Sequence, residues 1–144
     1  MEIQSLGHVV LKVRDRDRAE AFYEGVLGLR VAARDKDFAM TFYTLGDHHD
    51  LAIMAVGEDA GSPGEGDVGL AHVAFKIGDD MDVLREAKAH FEAAGVAVTP
   101  IDHGISKSLY FHDPDGNQLE VYVDVSDDWK RDPALVMQNR PLEL

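Results

Sequence analysis

LGHVVLKV at positions 6–13 and LAHVAFKI at positions 70–77 repeat one pattern of residue types. Both copies read leucine, a small residue, histidine, valine, two apolar residues, lysine and a final apolar residue. Side chains that alternate between two faces in this way are typical of a β-strand. The repeat predicts two similar modules, each of which opens with a strand and carries a histidine near its start.

The same succession of patterns follows each opening strand. Aspartates come next, and they suit the N-cap and the positive end of a helix dipole. An apolar helix face then recurs, formed by Ala19, Phe22, Tyr23 and Val26 in the first copy and by Leu84, Ala87, Phe91 and Ala94 in the second. Gly28 and Gly95 stand where a left-handed residue often ends a helix. Each copy closes with three short apolar runs that predict strands, at 29–33, 39–45 and 50–56 and at 96–101, 107–111 and 118–123.

These elements predict an α+β fold in a single domain of two βαβββ modules. We assign the first module to residues 5–57 and the second to residues 70–125. Glycine, proline and acidic residues mark 58–69 as the linker between them. The polar tail, 126–144, is expected to pack irregularly over the sheet or against a partner chain.

Composition excludes several classes of function. The 144 residues include 14 basic and 27 acidic side chains, for a net charge of −13. A field of this sign disfavours nucleic acids and acidic membranes as partners. The chain has no cysteine, so any metal must be held by His, Asp or Glu. No stretch reads as a signal peptide or membrane helix, and we therefore expect a cytoplasmic protein.

Strand alternation singles out three candidate metal ligands: His8, His72 and Glu120. Each is predicted to point away from the strand face that packs on its helix, toward the concave side of a curved sheet. Two histidines and one carboxylate form the ligand set of non-haem Fe(II) sites, and Mn(II) or another divalent metal also suits them. Taken singly, a histidine on this face is more often a hydrogen-bonded core residue than a ligand, and a glutamate is usually a surface residue. The equivalent positions of the two histidines in the repeat favour the metal site.

The repeated module and the closing segment DPDGNQLE at 113–120 resemble the vicinal oxygen chelate superfamily. This superfamily includes glyoxalase I, bleomycin- and fosfomycin-resistance proteins and extradiol ring-cleaving dioxygenases. The resemblance implies that the paired modules form an incomplete barrel around a metal site.

Two features favour the dioxygenase branch. Glyoxalase-like members carry four protein ligands, but alignment of the two closing strands places Ala52 opposite Glu120, and alanine cannot bind a metal. The segment HDLA at 49–52 also resembles the HDxA segment of extradiol dioxygenases, which implies that His49 is the acid–base residue. Strict alternation puts His48, not His49, in phase with Ala52, so both histidines stay candidates.

The segment HGISKSLYF at 103–111 resembles a stretch of the catechol-cleaving branch, where a histidine and a tyrosine flank the substrate. His103 and Tyr110 match those positions. The resemblance therefore implies a non-haem Fe(II)-dependent extradiol dioxygenase that cleaves a catechol-type aromatic diol with O2. The alternatives are a glyoxalase-like lyase or isomerase, a resistance-type transferase and a metal-free drug-binding module. An exposed module edge leads us to expect a homo-oligomer.

Overall fold

The computed structural model of the protein describes residues 1–64 and 66–144. These residues form two compact units. The first unit comprises Met1–Asp67 and Pro114–Gly116, and the second comprises Val68–Asp113 and Asn117–Leu144. The predicted linker, 58–69, contains no helix or strand among its described residues, and residue 65 lies outside them.

The first unit has one helix and a four-stranded sheet. Its elements are β1 (Val9–Val13), α1 (Arg16–Tyr23), β2 (Arg30–Asp35), β3 (Met40–Thr44) and β4 (Leu51–Ala55). The order of strands in the sheet is β1-β4-β3-β2. Strands β1 and β4 are parallel, whereas β3 is antiparallel to both of its neighbours.

The second unit repeats this arrangement and adds a fifth strand. Its elements are β5 (Val73–Gly78), α2 (Met81–Ala93), β6 (Thr99–Asp102), β7 (Ser106–His112), β8 (Gln118–Asp124) and β9 (Arg140–Pro141). The order of strands is β5-β8-β7-β6-β9. The predicted α+β fold with a strand–helix–three-strand repeat is thus confirmed, and neither sheet closes into a barrel.

Both helices begin as their sequences predict, and α2 also ends as predicted, just before Gly95, whereas α1 ends at Tyr23, three residues before Val26 of its predicted apolar face. The carboxylate of Asp15 accepts a hydrogen bond from the Arg18 amide at 2.7 Å, and Asp80 accepts one from the Asp82 amide at 2.8 Å. Each bond satisfies an amide that the first helical turn leaves without a partner. Gly28 and Gly95 adopt φ angles of +69° and +74°, the left-handed conformation expected after a helix.

The buried strand faces agree with the predicted alternation. In β1, Leu11 and Val13 are buried, and in β8 the buried apolar residues are Leu119, Val121 and Val123. Glu120 lies between two of these residues and is itself only 6% exposed. A buried carboxylate is costly without hydrogen-bond or ionic partners, so its surroundings indicate a specialised site.

A second, partly buried carboxylate network lies in the first unit and serves the fold. Glu20 on α1 accepts a hydrogen bond from the buried Thr41 hydroxyl and pairs with Arg34 at 2.9 Å. Burial alone would raise the pKa of Glu20. The bonds from Thr41 and Arg34, with the charge of Arg34, outweigh burial and lower that pKa below its ordinary value of 4.5.

The tail, 126–144, is more regular than predicted. Two short 3-10 helices, Asp128–Lys130 and Pro133–Met137, lead into β9. Strand β9 pairs with β6 through Ile101↔Pro141 and Asp102↔Arg140. The expectation of wholly irregular packing is therefore wrong for the end of the tail, because the open edge of β6 supplies backbone hydrogen-bond partners.

Among residues 1–64 and 66–144, no helix is long and apolar enough to cross a membrane.

Candidate active site

The registers of the second sheet bring three predicted site residues to one face. Glu120 on β8 lies directly opposite Tyr110 on β7 and Ala74 on β5. His72 immediately precedes β5, two residues before Ala74. Because side chains two residues apart share a face of a strand, His72, Tyr110 and Glu120 converge on the same face.

Glu120 is the centre of this group. Its Oε2 atom lies 3.1 Å from His72 Nε2, and its Oε1 atom accepts a hydrogen bond of 2.5 Å from the Ser108 hydroxyl. The Glu120 side chain is 7% exposed and that of His72 is 36% exposed, so the carboxylate is shielded while the imidazole reaches solvent. Ser108 is completely buried.

A second chain of polar contacts runs from Tyr110 to the tail. The Tyr110 hydroxyl lies 3.1 Å from His103 Nε2, and His103 Nδ1 lies 2.7 Å from the backbone carbonyl of Gln138. Burial raises the pKa of Tyr110, and the neighbouring Glu120 carboxylate raises it further, so the phenol keeps its proton. The structure therefore links four of the six predicted site residues within the second unit: His72, His103, Tyr110 and Glu120.

The other two predicted residues meet in the first unit. The ring centroids of His8 and His49 are 4.3 Å apart, and Phe42 packs edge-on against His49 at 5.4 Å. His48 Nδ1 lies 2.7 Å from His49 Nδ1, so one of these nitrogens donates a hydrogen and the other accepts it.

The surroundings of His49 favour its neutral form. Partial desolvation lowers the pKa of His49, and the neighbouring rings of His8 and His48 lower it further. Asp50 and Asp47 act in the opposite direction but do not reverse the shift. A neutral imidazole has a lone pair with which to accept a proton.

The first unit carries apolar residues where the second carries its central polar pair. Ala52 lies opposite Phe42 and Val10, as Glu120 lies opposite Tyr110 and Ala74. The predicted correspondence between Ala52 and Glu120 is confirmed by these registers. Ala52 is completely buried and brings no donor atom to the site.

Only part of the predicted ligand set, His8, His72 and Glu120, places its donor atoms so that they fit a divalent metal. His72 and Glu120 present an imidazole nitrogen and a carboxylate oxygen side by side, which is the chemistry that Fe(II), Mn(II) and similar ions require. His8 belongs to the first unit, and the described residues contain no group of three His, Asp or Glu side chains placed to hold an ion. His72 and Glu120 thus fit a metal, while the complete triad stays a prediction.

An open cavity of about 460 Å³ adjoins this group in the second unit. Tyr110 contributes to its wall, together with Thr99, Ile101, His112 and Asn139. The wall therefore combines aromatic, aliphatic and hydrogen-bonding side chains, the mixture found in sites for small organic molecules.

Sequence reasoning gave no role to two contributors to the site. Ser108 could have been found, because it lies two residues before Tyr110 on the same strand face. Gln138 could not, because it contributes a backbone carbonyl, which every residue type possesses.

Comparison with known proteins gives the same fold and several activities. The family model described as the Glyoxalase/Bleomycin resistance protein/Dioxygenase superfamily matches residues 5–121. Biphenyl-2,3-diol 1,2-dioxygenase 3 of Rhodococcus globerulus is 34% identical over 83% of this chain and 63% of its own length. Catechol-2,3-dioxygenase of Bacillus subtilis is 32% identical over 88% of this chain and 44% of its own length. This chain thus spans less than two thirds of either dioxygenase.

Other relatives of similar identity are matched over more of their length. Glutathione transferase FosA of Serratia marcescens is 32% identical over 84% of this chain and 82% of its own. The crystal structure of lactoylglutathione lyase from Agrobacterium tumefaciens has a TM-score of 0.65 at 28% identity, covering 85% of this chain and 96% of that one. Members of this group bind divalent metals, and their activities differ. The family match and the repeated βαβββ units show that the chain belongs to the glyoxalase/bleomycin resistance protein/dioxygenase superfamily, which is also called the vicinal oxygen chelate superfamily.

Proposed function

We propose that the protein is an extradiol dioxygenase that uses Fe(II) and O2 to cleave a catechol-type aromatic diol. The observation that carries the proposal is the register that puts Ala52 where the second unit has Glu120. A set of two histidines and one carboxylate leaves coordination positions open, the pattern of non-haem Fe(II) oxygenases. Identities of 34% and 32% to a biphenyl-diol and a catechol dioxygenase support this choice.

His8, His72 and Glu120 are the proposed ligands of the metal. The 3.1 Å approach of His72 to Glu120 supports two of them, and the sequence repeat supports His8 as the counterpart of His72. When bound, the metal supplies a Lewis acid that makes a diol hydroxyl easier to deprotonate. Ser108 holds one oxygen of Glu120 and so orients the other toward the ligand position.

His49 is the proposed proton acceptor for a diol hydroxyl. Its lowered pKa favours the neutral ring, the form that a general base requires. If His49 Nδ1 donates its hydrogen to His48, then His49 Nε2 carries the lone pair that takes the substrate proton. His48 in this arrangement orients His49.

Tyr110 is the proposed hydrogen-bond donor to substrate oxygen atoms. Its raised pKa keeps the hydroxyl protonated, and it borders the cavity that would receive the aromatic ring. His103 acts through Tyr110, because its Nε2 atom lies against that hydroxyl. Such fixed donors stabilise charge that develops on oxygen during a reaction.

Metal analysis of anaerobically purified protein, followed by assay with a panel of catechols for a yellow ring-cleavage product, tests the proposal. Glu120→Ala should abolish stoichiometric metal binding and activity. The matched control is Glu86→Ala, which removes an exposed carboxylate from α2 and should change neither. Full metal content and activity in Glu120→Ala would refute the ligand assignment.

Two further substitutions separate proton transfer from metal binding. His49→Phe should retain metal but slow turnover by about 10²- to 10⁴-fold, the usual range for a lost general base. His48→Phe is its matched control and should have the smaller effect; the reverse result would make His48 the base. Tyr110→Phe should lower kcat without changing metal content.

A metal-dependent thiol transferase or lyase is the second candidate function. It is favoured by the length of the match, since the chain covers 82% of the FosA transferase and 96% of the lactoylglutathione lyase structure. Product analysis with a methylglyoxal–thiol adduct beside the catechol panel separates the two. Protein that binds no metal at all would instead favour a drug-binding module.

A further inference from the structure

We propose that the C-terminal segment 138–142 is part of the candidate active site. The backbone carbonyl of Gln138 fixes the tautomer of His103, and Nε2 of that ring then accepts a hydrogen bond from the Tyr110 hydroxyl. The catalytic consequence rests on the proposed function, whereas the tautomer does not. Gln138 is thus a positioning residue that acts on Tyr110 through His103.

The hydrogen on His103 Nδ1 follows from the chemistry of its partner. A backbone carbonyl can only accept, so the 2.7 Å contact with the Gln138 oxygen requires a hydrogen on Nδ1. A neutral imidazole has one N–H group, and Nε2 therefore carries the lone pair. This lone pair faces the Tyr110 hydroxyl at 3.1 Å and accepts its hydrogen.

The Tyr110 hydroxyl has a second acceptor to choose from. Its single hydrogen can go to His103 or to the Glu120 carboxylate, which also interacts with it. In the proposed enzyme Glu120 would serve as a metal ligand, so His103 would accept the Tyr110 hydrogen until a substrate oxygen takes its place. The opposite tautomer would point an N–H group at the hydroxyl and send its hydrogen elsewhere.

The tail is anchored so that the Gln138 carbonyl reaches the ring. Asp102, the residue before His103, pairs with Arg140 across β6 and β9, and the Leu142 amide donates to the Pro100 carbonyl at 3.4 Å. These contacts hold the residues that follow Gln138 in register with β6. The β6–β7 turn is braced too, since the Asp102 carboxylate accepts from the Gly104 amide at 2.6 Å.

Gly104 is fitted to the same segment. A Cβ atom at this position would lie 2.7 Å from the end of the Gln138 side chain, and the φ angle of +77° favours glycine in any case. An alanine at position 104, next to His103, would therefore displace the end of the Gln138 side chain. The absence of a side chain at position 104 leaves room for the end of the Gln138 side chain.

Long-range ¹H–¹⁵N correlation spectra of the ¹⁵N-labelled, metal-free chain, residues 1–144, test the tautomer directly. The signals of His103 are assigned by their loss in His103→Asn, and spectra are recorded at about pH 8.5, roughly two units above the ordinary imidazole pKa. We expect Nδ1 to carry the hydrogen and Nε2 to be unprotonated. An Nε2–H tautomer in the wild-type protein overturns the proposal.

Two truncations test whether the tail is the cause. Removal of residues 138–144 should abolish the Nδ1–H tautomer preference, whereas removal of 143–144 alone keeps Gln138 and β9 and should leave it intact. An unchanged tautomer in the longer truncation overturns the proposal. If that variant does not fold, removal of residues 140–144 replaces it. This variant keeps Gln138 but lacks β9, which pairs the segment with β6, and it should weaken the preference; an unchanged spectrum would again overturn the proposal.

Turnover separates this inference from the proposed function. With catechols, the longer truncation should lower kcat about 10- to 100-fold at unchanged metal content, as expected when an orienting partner is lost. An Nδ1–H tautomer that depends on the tail, in a protein without catechol activity, would leave the inference standing and reject the dioxygenase. Catechol activity together with an Nε2–H tautomer would overturn this inference and leave the proposed dioxygenase standing.

Discussion

Replacement of Ser108 by alanine should destabilise the metal-free protein by about 2 kcal/mol. The Ser108 hydroxyl donates to Glu120 Oε1 at 2.5 Å, and both residues are buried. Alanine fits the space without strain but offers no donor. Because water has little access to this position, one carboxylate oxygen would lose its partner without replacement.

The magnitude follows from the charge and burial of the acceptor. A hydrogen bond to a charged group contributes roughly 1.5–3 kcal/mol, and leaving a buried acceptor unsatisfied costs about the same. The cavity left by one hydroxyl is too small to add much. For a chain of this length, about 2 kcal/mol corresponds to a fall in Tm of roughly 4–8 °C.

Urea unfolding followed by circular dichroism, in buffer with a chelator, measures this loss. Ser5→Ala is the matched control, because Ser5 is exposed and should be replaceable at no cost. In a Glu120→Ala background the Ser108 substitution should cost less than about 0.5 kcal/mol, since no carboxylate remains to satisfy. The reasoning is wrong if Ser108→Ala is as stable as wild type, or equally destabilising in both backgrounds.

Three further predictions concern the fold. Asp80→Ala should cost about 1 kcal/mol in urea unfolding because α2 loses its N-cap, and an unchanged midpoint would contradict the cap. Gly95→Ala should cost about 1–2 kcal/mol because of its φ of +74°, whereas Gly7→Ala, where no positive φ is required, should cost less; equal effects would argue against strain. Thr41→Val removes a bond to Glu20, whose pKa is lowered in the folded state. That stabilisation is present above about pH 4.5 and is lost as the pH falls through the folded-state pKa, so the stability gap between variant and wild type should shrink in acid; a gap that stays constant would exclude Glu20 as its source.

Local patterns predicted most of the secondary structure because they are written within a few residues. The helix faces, the N-cap aspartates and the positive φ of Gly28 and Gly95 each depend on neighbours in sequence. Strand β9 escaped prediction, since Arg140 and Pro141 carry no alternation and are a strand only because β6 has an open edge.

The candidate site was predicted in its residue types and less well in its connections. Alternation and the repeat singled out His72 and Glu120, which the structure brings to 3.1 Å. The link from Tyr110 through His103 to the tail was not foreseen, because the residue that completes it offers only its backbone. The place of His8 in a metal site is still a prediction.

The amino-acid sequence by itself determined the duplicated modules, the alternation of strand faces and the chemistry of the donor side chains, because all three are properties of residue order and type. Only the tertiary structure decided that Glu120 on β8 lies opposite Tyr110 on the neighbouring β7 and that the Ser108 hydroxyl donates a buried hydrogen bond to Glu120. It alone also decided that the Gln138 carbonyl contacts the ring of His103. These contacts join residues 10 or more positions apart. They depend on strand register and on the path of the tail, and both are fixed by packing of the whole second unit and not by any local pattern.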